Sequence, residues 1–172
     1  MSSDAATNEG ADVDSEFLVG EERLAASDGV IRNHAIGAAA IGLIPVPAVD
    51  FISLTALQLN LLRRLAQIYE VPFSQELGKK SIGALVAGFT PMLLSAPLAS
   101  AVKVVPMIGS TLGGLAMSAV AGASTYAIGK VFLQHFDSGG TFLNFNPNAV
   151  RAYYREQFER GKQVVKSAAA KS

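Results

Sequence analysis

Hydrophobic and polar positions divide the chain into three long apolar segments between two polar ends. The first segment, residues 33–62, contains one formal charge, Asp50, and is interrupted at Pro45-Val46-Pro47. Proline lacks an amide hydrogen and disfavours helix in the preceding residue. We therefore expect one helix from about Glu21 and a second from about Ala48 to Tyr69. Such a broken pair is typical of a re-entrant or tightly bent hairpin rather than of one continuous span.

The second and third apolar segments are residues 82–102, which have no charge, and residues 107–133, which have only Lys130. About 20 apolar residues in a helix match a hydrocarbon core about 30 Å thick. The link 103–106 is short enough to force the two helices antiparallel. The sequence therefore predicts a transmembrane helical hairpin. A hairpin buried in a soluble protein is the alternative, because helices that are apolar all round also occur in protein cores.

Glycine recurs along both predicted spans. Glycine and alanine at four-residue spacing let helix backbones approach closely, which favours helix association inside lipid. We expect a glycine-zipper type of packing, and a homo-oligomer is one of its outcomes. The predicted helix-packing residues are Gly83, Gly88, Gly109, Gly113, Gly114, Gly122 and Gly129.

The two ends of the chain carry opposite charges. Residues 1–30 contain eight acids and one base, whereas residues 141–172 contain six bases and two acids. Residues 1–19 have few large apolar groups, which predicts a disordered acidic tail before a helical domain over residues 20–168. The net charge of zero argues against a nucleic-acid partner.

A final amphipathic helix is predicted over residues 147–169, with Asn146 as its N-cap and Pro147 at its first position. Its apolar stripe consists of Val150, Tyr154, Phe158, Gly161 and Val165. A basic stripe beside it consists of Arg151, Arg155, Lys162 and Lys166. The basic stripe has three interpretations: a solvated face, a surface for anionic lipid, or a surface for an acidic protein.

Patterns for catalysis and for metal binding are missing from the sequence. There is no cysteine, and the two histidines, His34 and His135, stand about a hundred residues apart without nearby acidic ligands. Gly78-Lys79-Lys80-Ser81 resembles the end of a phosphate-binding loop, but Phe73 occupies the position of its first glycine. We expect no catalytic residue, no cofactor and no metal, and hence no enzyme.

Asp50 is the one acid within the first apolar segment, and it has two interpretations. It caps the second helix by accepting amide hydrogens near Ser53, or it forms a buried pair or relay with Arg32, Asn60 or His34. His34, Asp50 and Asn60 are therefore the predicted buried polar or capping residues. An enzyme that used Asp50 with His34 is a third functional class, and a carboxamide at Asp50 would abolish its activity.

Three stretches carry a family resemblance: residues 33–50 with their Ile-Pro-Val-Pro-x-x-Asp pattern, Gln58-Leu59-Asn60-Leu61-Leu62, and Gly139-Gly140-Thr141-Phe142. Over about residues 20–165 the chain resembles the bacterial domain-of-unknown-function family 697, which includes YcjF-like proteins. The resemblance implies a helical, membrane-associated protein, often fused to or encoded beside a small Era-like GTPase. It implies a GTPase partner and carries over no catalytic residue.

Together these expectations describe an all-α protein, a small helical bundle with a glycine-rich transmembrane hairpin, a Pro-broken first hairpin and a C-terminal amphipathic helix. Lys79 and Lys80 before the first span predict that both ends of the hairpin, and with them both termini, lie in the cytoplasm. The family resemblance then implies the bacterial inner membrane. Its first predicted function is a non-enzymatic membrane-integrated module that recruits or responds to a small GTPase at the cytoplasmic face. The alternative is a self-assembling membrane-shaping or pore-forming oligomer.

Overall fold

The structure is a computed structural model that describes residues 4–43, 47–95 and 110–171, with the side chains of residues 18–43, 52–88 and 115–171. Within these residues every regular element is a helix, which confirms the all-α class. The helices are α1 Asp4–Ile41, α2 Pro47–Ile68, α3 Gln75–Ser95, α4 Ser110–Asp137 and α5 Arg151–Ala169.

Helix α4 forms the centre of the bundle. It packs most extensively on α1 and α5, and also on α2. From Ser118 onward most of its side chains are buried, and Ile128 and Phe132 are fully enclosed. A helix that is apolar all round needs neighbours on several sides. In this part of the chain those neighbours are other helices of the same protein.

Small residues let α1 and α4 run antiparallel in close contact. A Cβ added at Gly42 would lie 2.9 Å from the Cα of Ser118, and one at Gly122 would lie 2.9 Å from the carbonyl oxygen of Ala35. The Ser118 hydroxyl donates a hydrogen bond to the carbonyl oxygen of Ala39, at 2.7 Å, across this seam. Larger side chains at these positions would hold the two backbones apart.

Helix α3 lies against α2 and the start of α5 rather than along α4. A Cβ at Gly78 would lie 3.1 Å from Leu59 on α2, and one at Gly88 would lie 3.3 Å from the Arg151 guanidinium. Over their described residues, the predicted spans 82–102 and 107–133 therefore pack mainly on other helices and only a little on each other. The reason is that α1 and α5 fill the faces of α4. The predicted link 103–106 lies outside the described residues.

One stretch of the described helices, Leu115–Asp137, is long and apolar enough to cross a membrane by its length and composition. Of its most apolar window, 56% is buried inside the protein. The central helix of a bundle has the same length and composition, so burial by neighbouring helices accounts for much of this apolar character.

The first helix is much longer than the sequence predicts. It begins at Asp4, whereas the prediction was a disordered tail over residues 1–19 and a helix from about Glu21. The chain has no proline before Pro45, so nothing in the sequence ends the helix earlier. Leu18 and Val19 are 58% and 52% exposed, which places this part of α1 beyond the packed bundle.

The turn after α4 contains a glycine in the left-handed conformation. Gly139 has a φ of +78°, its amide donates to Phe136, and the Gly140 amide donates to the carbonyl oxygen of His135 at 2.8 Å. This pair of hydrogen bonds is a Schellman motif, which satisfies the last carbonyl groups of a helix.

Helix α5 begins four residues later than predicted, because residues 147–150 form a turn. Asn146 nevertheless accepts a hydrogen bond from the amide of Asn148, at 3.0 Å. The predicted apolar stripe is confirmed along the helix itself, where the buried residues are Tyr154, Gln157, Phe158, Gly161 and Val165. Val150, which precedes the helix, is half-buried.

Candidate functional site

One end of the bundle exposes large apolar side chains. The end of α1, the start of α2 and the start of α4 meet there, since Gly42 contacts Ser118 and only a few residues join α1 to α2. We name this group the apolar tip, and its members with their exposed fractions are Leu43 (50%), Ile52 (71%), Leu115 (58%) and Met117 (62%).

Ile52 illustrates where the sequence pattern fails. The helical period predicts that it shares a buried face with Leu59, Leu62 and Ala66, and those three residues are buried. Ile52 is exposed and lies near the N-terminal end of α2, whereas the three buried residues lie further along the helix. A helical stripe shows which residues share a face but not how far along the helix its neighbours extend.

Each of three charge-free runs leading away from the apolar tip ends at a basic residue. On α1 the first charge is Arg32, on α2 it is Arg63, and on α4 it is Lys130. At 1.5 Å per residue these positions lie about 16 to 22 Å along their helices from Leu43, Ile52 and Leu115. Arg32 and Arg63 are exposed, and the Lys130 side chain is 19% exposed.

A cavity of about 490 Å³ lies between α1, α4 and α5, beside two of these basic residues. Lys130 Nζ donates to Asp28 Oδ1 at 2.5 Å and lies 5.9 Å from the centroid of the Tyr126 ring. The polar side chains that line the cavity are Asp28, Arg32, Tyr126, Lys130, Gln163 and Ser167. We name it the interhelical cavity. The sequence shows Lys130 as the one charge of its apolar segment. Its partner Asp28 could not be predicted, because it lies 102 residues away in the chain.

The structure brings His34 and Asn60 together on one side of the bundle. His34 Nδ1–H donates to the carbonyl oxygen of Val30 at 2.8 Å, and His34 Nε2 lies 3.1 Å from Asn60 Oδ1. Arg64 Nε donates to the same oxygen at 3.2 Å. The predicted burial of this pair is wrong, because Asn60 is exposed and His34 is half-exposed. The group joins α1 to α2 at the bundle surface.

Asp50 occupies a different position from the predicted N-cap. Helix α2 already begins at Pro47, so Asp50 lies within its first turns. Proline is well suited to a first helical position, because its missing amide hydrogen has no partner there. The side chain of Asp50 lies outside the described residues, as do the surroundings of its carboxylate.

The basic stripe of α5 is exposed along its whole length, and we name it the basic face: Arg151, Arg155, Lys162 and Lys166. Two of its members have described partners. Arg151 donates to Asn148 Oδ1 at 2.7 Å, and Lys162 pairs with Glu159 at 2.6 Å. Beside the basic face, Arg160 pairs with Glu156 at 2.6 Å.

The predicted helix-packing glycines lie in different surroundings. Gly122 packs against α1 and α5, and Gly129 packs against Ile31 and Leu61. Gly88 faces the Arg151 side chain, and an added Cβ at Gly83 would meet nothing within 4 Å. The surroundings of Gly109, Gly113 and Gly114 lie outside the described residues.

Buried polar groups on the core side of α5 and α2 find partners on α4. The Tyr154 hydroxyl lies 2.9 Å from Ser124 Oγ, and burial raises the pKa of Tyr154 to about 12 although this hydrogen bond opposes the shift. Gln58 Nε2 donates to Thr125 Oγ1 at 3.2 Å. Buried polar groups need such partners to offset the loss of water. Both pairs make the register of α4 against its neighbours specific.

His135 lies in the last turn of α4 and contacts the turn that follows. Its Nε2 lies 2.9 Å from the carbonyl oxygen of Thr141, and its ring packs edge-on against Phe145 with centroids 5.2 Å apart. Among the described residues no group of three histidine, aspartate or glutamate side chains is placed to hold a metal ion.

These features define a class of protein: an all-helical bundle with an apolar tip, basic residues at the edge of its charge-free runs, and a basic face on its last helix. The chain belongs to the family described as Domain of unknown function (DUF697), whose family model matches residues 12–163. This confirms the resemblance found in the sequence and extends it into the acidic N-terminal segment.

Comparison with curated proteins gives a relative of similar length. The chain is 36% identical over 162 residues to Magnetosome membrane protein 22 of Magnetospirillum gryphiswaldense, and the alignment covers 94% of this chain and 80% of the relative. No solved structure matches the chain.

Proposed function

We propose that this protein is a non-enzymatic, membrane-associated module that contacts the bilayer through its apolar tip. The observation that carries the proposal is the joint exposure of Leu43, Ile52, Leu115 and Met117 at one end of the bundle. Burying a large apolar side chain contributes about 1.5–3 kcal/mol. Four half-exposed side chains therefore favour transfer to hydrocarbon by roughly 5 kcal/mol.

The distribution of charge supports the same orientation. The hydrocarbon half-thickness of a bilayer is about 15 Å, which is close to the length of the charge-free runs that separate the apolar tip from Arg32 and Arg63. Basic residues are favourable at the level of the lipid phosphates. Residues 96–109, which lie between α3 and α4 in the sequence, carry a single charge, Lys103. The name of the magnetosome relative, a membrane protein, agrees with this proposal.

The first prediction replaces Leu115 and Met117 together by glutamate. Both side chains are exposed in the protein but would lie in hydrocarbon at the membrane, where a charge costs about 2.5–3.5 kcal/mol. We expect binding to phosphatidylcholine vesicles to weaken by roughly a hundredfold or more in a flotation assay.

Leu143→Glu is the matched control. Leu143 is 84% exposed in the turn after α4, at the opposite end of the bundle, so this variant should float like the wild type. Circular dichroism should show the same helix content in all three proteins. Equal flotation of the tip variant and the control would contradict membrane contact through the tip.

The finer part of the proposal concerns a partner. We assign the basic face of α5 to docking of a small GTPase at the cytoplasmic side of the inner membrane, with both termini on that side. The support is the family association with Era-like GTPases, the excess of Lys and Arg at this end of the chain, and the exposure of the four side chains. Charged surfaces of this kind steer association and select partners of opposite charge.

The second prediction tests this assignment with the double variant Arg155→Glu and Lys166→Glu. A tagged chain at native expression should enrich a GTPase from a detergent extract, and charge reversal should lower the recovered GTPase by at least about tenfold. Lys79→Glu changes an exposed cation on α3 and should leave the recovery unchanged. Failure of the wild-type chain to enrich any GTPase would remove the partner from the proposal while leaving membrane contact intact.

The self-assembling alternative gains no support from two of the glycines on which it was based. Gly122 and Gly129 already pack against α1, α2 and α5 within one copy, so they are not available to a second copy. The apolar tip and the basic face fit the module with a partner better than a pore-forming oligomer.

A further inference from the structure

The interhelical cavity carries one net positive charge on polar side chains that converge from three helices. Arg32 and Lys130 contribute two cations, and Asp28 contributes one carboxylate. Lys130 is mostly enclosed and is held in place by Asp28 and by the Tyr126 ring. The planar guanidinium of arginine is well suited to two oxygens of a phosphate group, and an ammonium adds a point charge.

The cavity also offers neutral hydrogen-bond donors from α5. Gln163 carries an amide and Ser167 a hydroxyl, and both line the same space as Arg32. Its volume of about 490 Å³ falls within the range of small-molecule sites, about 300–1,000 Å³. A monoanionic phosphodiester would neutralise the excess positive charge and would accept hydrogen bonds from both groups.

A line of apolar residues runs from the cavity to the apolar tip. Arg32 is followed at helical spacing on the same face of α1 by Ile36, Ala40 and Leu43. Ile36 is 38% exposed, Ala40 is exposed and Leu43 is 50% exposed. The distance along the helix from Arg32 to Leu43 is about 16 Å, close to the thickness of one hydrocarbon leaflet, about 15 Å. A soluble phosphate compound would not need this apolar continuation.

We propose that the interhelical cavity binds the phosphate of one anionic glycerophospholipid, whose acyl chains follow the Ile36, Ala40 and Leu43 face toward the apolar tip. The inference rests on the proposed membrane contact, because the tip brings the cavity to the level of the headgroups. It adds a defined lipid site to a surface that otherwise binds the bilayer without selectivity. Asp28 lowers the affinity of the cavity for the phosphate, because its carboxylate already pairs with the Lys130 ammonium.

The test is native mass spectrometry of the full chain in micelles that contain equal amounts of phosphatidylglycerol and phosphatidylcholine. The wild type should retain one phosphatidylglycerol in preference to phosphatidylcholine. Arg32→Gln should lower that retention by at least about tenfold, and Asp28→Asn should raise it, because Lys130 is then freed from a carboxylate. Lys79→Gln, which removes an exposed cation outside the cavity, should behave like the wild type.

The outcomes separate this inference from the membrane contact itself. If Arg32→Gln and Lys79→Gln reduce retention equally, the lipid is held by general surface charge and the site is refuted. If free glycerol phosphate displaces the bound lipid at a concentration no higher than that of phosphatidylglycerol, the acyl chains add no affinity, the cavity is a soluble-phosphate site and the lipid assignment is wrong. The wild type and Arg32→Gln should float equally well with phosphatidylcholine vesicles. If the wild type itself does not float with these vesicles, the membrane contact is refuted instead of the lipid site.

Discussion

Replacing Phe132 by alanine is expected to cause the largest loss of stability among these predictions. Phe132 is fully buried, and its ring stacks on Phe145 with centroids 4.5 Å apart and lies 5.5 Å from Phe136 and Phe142. Truncation of such a residue removes its transfer free energy and leaves a cavity, at a cost of about 3–5 kcal/mol. We expect this decrease in the free energy of unfolding, measured by denaturant titration in detergent.

The position of Phe132 makes the effect more than local. Its ring contacts tie the end of α4 to the turn that leads into α5, and that turn orients the basic face. Leu143→Ala in the same turn removes an 84% exposed side chain and should change the free energy of unfolding by less than about 0.5 kcal/mol. A loss below about 1 kcal/mol for Phe132→Ala would show that the aromatic cluster is not packed as described.

The second large effect is expected from a single added methyl group at Gly122. A Cβ there would lie 2.5 Å from Val165 Cγ2 and 2.9 Å from the carbonyl oxygen of Ala35. The Ala35 oxygen belongs to a helix backbone and cannot rotate away, so α1, α4 and α5 must separate. Overpacking of this kind costs about 1–3 kcal/mol. We expect Gly122→Ala to lower the thermal midpoint in detergent accordingly.

Gly83→Ala is a matched control for this substitution. Gly83 lies within α3, and an added Cβ meets nothing within 4 Å. In an open helical position alanine is favoured over glycine by up to about 1 kcal/mol, because glycine loses more backbone entropy on folding. The two substitutions should therefore shift the midpoint in opposite directions. A decrease of similar size in both would contradict the close seam between α1, α4 and α5.

Helix ends can be predicted from the local sequence where a proline or a glycine starts or ends the helix. Pro47 starts α2 within one residue of the prediction, and Gly139 ends α4 in the left-handed conformation. The acidic N-terminal segment had no such signal. Its low apolar content predicts disorder, yet it continues α1 because no residue between Asp4 and Ile41 stops the helix.

The candidate site was only partly visible in the sequence. The basic face could be predicted from the sequence of α5 alone, because its buried residues recur every three or four positions and leave the basic residues on another face. The interhelical cavity did not follow, because Asp28, Lys130 and Gln163 come from three helices and meet only when those helices pack. The apolar tip was missed for the same reason, as Ile52 and Leu115 share no sequence pattern.

By itself the sequence determined that this protein is helical, where its charge-free runs begin and end, and which face of α5 is polar. These properties depend on propensity, on proline and glycine, and on a period of 3.6 residues, all of which act between close neighbours along the chain. Only the tertiary structure decided what surrounds α4. An apolar helix can be surrounded by lipid or by protein, and α1 and α5 cover α4 with protein from Ser118 onward.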